Sequence, residues 1–117
     1  MTHPPFKLVI LESPYASDTA EGLEENLRYA RACMRDCLLR KESPLASHLL
    51  YTQAGILDDN IPSERSLGIY AGLAWHAHSD FTVVYTDRGI SRGMQLGIDF
   101  AKEQGKSVEF RKLPNYP

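Results

Sequence analysis

Seven consecutive residues, Asp87-Arg88-Gly89-Ile90-Ser91-Arg92-Gly93, assemble the chemistry of anion binding. Arg88 and Arg92 supply positive charge, and Ser91 is placed to cap the helix that follows. The backbone N–H groups of Arg92 and Gly93 then lack intrahelical partners and point at whatever lies above the helix start. A polar turn with a serine cap is the competing account, but a cap alone requires neither arginine. The stretch is not a Walker loop, and the chain contains no G-x-G-x-x-G.

A second group sits near the N-terminus, in Glu12-Ser13-Pro14-Tyr15. The hydroxyls of Ser13 and Ser17 can donate to a phosphate, Tyr15 can stack on a base or sugar, and Glu12 brings a carboxylate. The plainer alternative is a loop stiffened by Pro14 with Tyr15 packed on the surface. His48 is a further candidate, and Asp58, Asp59, Glu64 and Arg65 either border the site or are solvated. His76 and His78 lie two apart at a helix end, so they face different ways and suit the helix dipole better than a metal. Cys33 and Cys37 share a helix face but have no second pair to complete a tetrahedral site, and both fall in an apolar stripe. No metal or cofactor is expected. No Ser-His-Asp, Cys-His or H-E-x-x-H arrangement can be argued from the spacing.

These groups need elements to position them. Lys7–Leu11 (KLVIL) and Phe81–Tyr85 (FTVVY) read as short buried strands, each running into one of the two candidate loops. Asp18-Thr19-Ala20-Glu21 resembles a capping box, and Leu23, Leu27, Ala30, Cys33, Cys37 and Leu38 continue as an amphipathic stripe. Lys41-Glu42-Ser43-Pro44 reads as a break, residues 45–50 as a weaker strand ending near His48, and residues 52–60 as a flap or a short extra helix. Pro62 opens another helix, in which Gly68 and Gly72 allow close approach of a neighbouring backbone. Met94, Gly97, Ile98 and Ala101 recur at helical spacing before Gly105, and residues 107–112 form the last strand. The tail, residues 113–117, covers a surface or an edge.

The alternation β-α-β-α-β-α-β predicts an α/β, Rossmann-like doubly wound parallel sheet of about four to five strands, order 2-1-3-4, with helices on both faces. In that order the crevice lies at the carboxyl ends of the first and third strands, which brings residues 12–18 and 86–93 together. The predicted ligand-binding set is Ser13, Tyr15, His48, Asp87, Arg88, Ser91, Arg92 and Gly93. With 117 residues the chain makes one domain, residues 1–117. A net charge of −2 and the lack of a basic run argue against binding duplex nucleic acid. No apolar run is long enough for a membrane span, and the first residues lack the flanks of a signal peptide, so a cytoplasmic location is expected.

The order of several short segments resembles the nucleoside 2-deoxyribosyltransferase-like superfamily, which includes deoxynucleoside monophosphate N-glycosidases, and most closely its small bacterial and phage members. The matching pieces are LVILESPYA (8–16), SHLLY (47–51), LDDNIPSER (57–65) and ISRGMQLGIDFA (90–101) with Gly105-Lys106. The resemblance implies a nucleotide-type ligand, a homodimer or higher oligomer, and, in catalytic members, a glutamate on the last helix that attacks the sugar as a nucleophile. That position here is Gly97. Gln95 and Asp99 stand one or two helical steps away, turned by roughly 100° or 200°. The expectation is therefore a binder that sequesters or senses a nucleotide without turnover. The alternative is an N-glycosidase or deoxyribosyltransferase whose carboxylate comes from elsewhere, Glu12 or Asp87 being candidates.

Overall fold

A computed structural model of the chain describes residues 5–117. Four parallel strands form one sheet in the order β2-β1-β3-β4, comprising β1 (Lys7–Glu12), β2 (Glu42–Leu45), β3 (Phe81–Tyr85) and β4 (Ser107–Arg111). The four helices are α1 (Ala20–Leu39), α2 (Ser47–Leu50), α3 (Pro62–Ala74) and α4 (Arg92–Glu103), and a 3-10 turn, Trp75–His78, extends α3. This is the predicted α/β architecture with the predicted strand order.

Strand parity divides the core. Val9, Leu11, Val83 and Tyr85 face α1, where they meet Tyr29, Cys33 and Cys37. Val84 faces the other way and packs on Met94 and Ile98 of α4. Helices therefore cover both faces, which explains why β1 and β3 read as near-continuous apolar runs. Both cysteines are free and fully buried, as the apolar stripe implied. Among the described residues no helix is long and apolar enough to cross a membrane.

Two local expectations are corrected. The segment read as a break is β2 itself: Lys41 turns the chain with φ 63°, and Glu42–Leu45 pair with Lys7–Ile10. Pro44 misled because it cannot donate to a ladder, yet β2 is an edge strand with only one neighbour, where proline is tolerated. Residues 47–50 are consequently helical rather than extended, so His48 lies on α2. The cap of α1 is Thr19, not Asp18, and its Oγ1 accepts from the Gly22 N–H at 2.9 Å. At α4 the expectation holds, with Ser91 Oγ accepting from the Met94 N–H at 3.2 Å.

Candidate functional site

The strand order reverses between β1 and β3, and the crevice at their carboxyl ends is a real cavity of about 380 Å³. Glu12, Ser13 and Tyr15 enter it from the end of β1, Ser47 and His48 from α2, and Ser91, Arg92 and Gly93 from the start of α4. Six of the eight predicted residues thus share one cavity: Ser13, Tyr15, His48, Ser91, Arg92 and Gly93.

Asp87 and Arg88 lie elsewhere. The Asp87 carboxylate accepts from the Tyr29 hydroxyl at 2.7 Å and from the Leu113 N–H at 2.9 Å. Arg88 donates to Asn26 Oδ1 at 3.3 Å and to the Tyr116 hydroxyl at 3.2 Å. Tyr116 in turn stands edge-on to Tyr29, with centroids 5.0 Å apart. These two residues clasp the C-terminal tail over the α1 face, so only Arg92 of the two arginines remains for a ligand.

Ser13 is buried, and its hydroxyl meets His48 Nε2 at 2.7 Å. Burial lowers the His48 pKa to about 4, so the imidazole is neutral at pH 7 and can accept the serine proton. Sequence spacing gives no sign of this pair, because 35 residues separate its members and the segment that holds the second reads as a strand.

Gly97 and Glu12 are the other contact that spacing alone could not reveal. A Cβ at position 97 would overlap the Glu12 carboxyl group, which packs directly on the α4 backbone there. The space that a side chain at position 97 would take is filled by a carboxyl from β1. Desolvation raises the Glu12 pKa to about 8, and no cation offsets it, so the group is mostly protonated at neutral pH. Gly72 plays the same part on α3, where a Cβ would overlap the Ser47 side chain. Each glycine lets a polar side chain from another element lie against a helix inside the cavity.

Residues 52–60 form irregular turns rather than an extra helix. Asp59 pairs with Arg65 at 2.7 Å, the Asp58 N–H donates to Glu64 Oε1 at 2.9 Å, and Trp75 Nε1 donates to the Tyr51 hydroxyl at 2.8 Å. These bonds tie the segment to α3. Beneath it lies a second hollow of about 570 Å³, which shares Tyr15, Ala16, Thr52, Leu57, Asp59 and Glu64 with the first.

A family model described as a domain of unknown function, DUF7768, matches residues 7–111, and the chain belongs to that family. No curated protein matches it.

Proposed function

We propose that this DUF7768 protein binds a nucleotide or nucleotide-derived small molecule in the crevice cavity and holds it without turnover at neutral pH. One observation carries the reading: the cavity lies at the strand-order reversal, between the open N-terminus of α4 with Arg92 and the Tyr15 ring. Its volume of about 380 Å³ suits a ligand of this size. Phosphate belongs at Ser91, Arg92 and Gly93, which are all exposed. A protonated Glu12 can donate a hydrogen bond to an occupant of the cavity but is a weak nucleophile.

The Glu12 carboxyl over Gly97 favours a second reading, cleavage of an N-glycosidic bond. Ionised Glu12 would form a bond to the anomeric carbon as the carbon–nitrogen bond to the base breaks, the base leaving with a proton from solvent. Water would then release the sugar and restore the carboxylate. Because the anion attacks, this activity would rise with pH through about 8.

The test is incubation with deoxynucleosides, ribonucleosides and their monophosphates at pH 7 and pH 8.5, then denaturation and chromatography of the released ligand. Intact ligand at both pH values supports binding alone. Free base at both pH values that increases with pH, and is lost in Glu12→Gln, establishes the second reading and refutes the first.

The same reading includes a homodimer. On α3, Leu67 is 61% and Tyr70 70% exposed, which leaves apolar surface on this helix open to a partner. A second copy covering this helix would bury both.

A further inference from the structure

The cavity wall is of two kinds. Its exposed part, at the mouth, holds Ser91, Arg92 and Gly93, whereas Ile10, His76, Met94 and Gly97 form a buried inner part. His76 is only 1% exposed, and its ring nitrogen Nδ1 has no hydrogen-bond partner among the described residues. The rest of the residue is well held. Its carbonyl accepts from the N–H and the hydroxyl of Ser79, and its ring stands edge-on to Phe100 with centroids 5.2 Å apart. His76 lines the cavity, and a buried imidazole whose nitrogen lacks a partner gains one only where an occupant, or a small shift of the ring towards it, supplies one.

The inner wall carries hydrogen-bonding groups but no full charge at neutral pH. Burial and then the nearby Lys106 charge lower the His76 pKa, burial keeps His48 neutral, and Glu12 is mostly protonated. A neutral imidazole has one donor and one acceptor nitrogen. An anion taken into this region would lose its hydration with no opposite charge to offset the loss. A flat heterocycle with donors and acceptors along its edge would satisfy the polar atoms, and its faces would lie on Ile10 and Met94.

We infer that His76 recognises the ligand directly, hydrogen-bonding an uncharged heterocycle at the inner wall, while any anionic group of the same molecule stays at the mouth beside Arg92. This rests on the nucleotide reading and adds to it an orientation and a residue. It also reverses the reading of His76 as a helix-end histidine matched only to the dipole.

Calorimetric titration of wild type, His76→Phe and His76→Gln with the common nucleosides, their 5′-monophosphates and ribose 5-phosphate tests it. His76→Phe keeps a ring against Phe100 and should weaken the best nucleoside about tenfold, the usual effect of one lost hydrogen bond. His76→Gln should recover part of that loss, and ribose 5-phosphate should bind both proteins alike. Equal nucleoside affinity in wild type and His76→Phe would overturn the inference but leave the nucleotide reading intact. Failure of wild type to bind any nucleoside or nucleotide would overturn both. If His76→Phe does not fold, the ring ¹⁵N resonances of His76 in wild type decide: they should move when the nucleoside is added, and unmoved resonances would overturn the inference.

Discussion

A carboxyl group held protonated and a glycine that makes room for it give the site its character at the level of single residues. The folded-state pKa of Glu12 is raised to about 8 from 4.5, so between those values the folded protein binds more protons than the unfolded chain. Stability is therefore lost as pH rises through this window. His48 acts oppositely: its pKa is lowered to about 4 from 6.5, so it adds stability as pH rises across that interval. From pH 6.5 to 8 the Glu12 effect stands alone of the two. Urea unfolding should show wild type losing stability there, with a slope approaching about 1.4 kcal/mol per pH unit, while Glu12→Gln stays flatter. Parallel profiles for the two proteins would place the carboxyl in water.

The contact itself gives a second residue-scale prediction. Gly97→Ala should destabilise by about 1–3 kcal/mol, because the added methyl overlaps Glu12 against the α4 backbone. Combining it with Glu12→Ala should remove most of that cost, and additive losses in the double variant would rule the contact out. Neither residue announces this in the sequence. Glu12 reads as a loop carboxylate and Gly97 as a small residue in an apolar stripe, and only the superposition of β1 on α4 makes them one feature.

Elements show where sequence reasoning held and where it failed. Strands β1 and β3 were legible because burial on both faces leaves continuous apolar runs, and α4 was legible because Ser91 caps it and Gly105 ends it. Strand β2 was not, since its four residues are Glu-Ser-Pro-Leu. Its first residue is held by an interaction that no local pattern encodes. Glu42 accepts two hydrogen bonds from Arg111 at the end of β4, at 2.7 and 2.9 Å, and both side chains are buried. Arg111 also donates to the Tyr85 hydroxyl and pairs with Glu109. Glu42→Ala leaves a buried guanidinium with only the neutral Tyr85 hydroxyl and the outer carboxylate of Glu109, and should cost about 3 kcal/mol in chemical denaturation. A loss below about 1 kcal/mol, the scale of a surface pair, would mean that the network is solvated.

For the whole molecule, strand alternation and the handedness of crossovers were sufficient to predict the sheet order and thus the crevice. The site followed only in part. Six of eight predicted residues line the cavity because strand ends at the reversal must border it. Asp87 and Arg88 follow β3 just as closely, but the C-terminal tail folds back and engages them. His76 was discounted because its position on α3's extension says nothing of the α4 and Phe100 side chains that enclose it. The exposed Leu67 and Tyr70 belong to this scale too. Light scattering after gel filtration should give twice the mass of the 117-residue chain, and Leu67→Glu with Tyr70→Glu should halve it. A wild-type monomer would leave that face unpaired.

The central claim is that the crevice between β1 and α4 is where a nucleotide-type ligand binds. Titrating the ¹⁵N-labelled protein with nucleoside 5′-monophosphates and following its backbone amide resonances tests this most directly. The account predicts saturable shifts concentrated in residues 12–16, 47–52 and 91–97, with the α1 face and the tail clasp at Asp87 and Arg88 unmoved. Shifts clustered elsewhere, or none with any nucleotide, would contradict it.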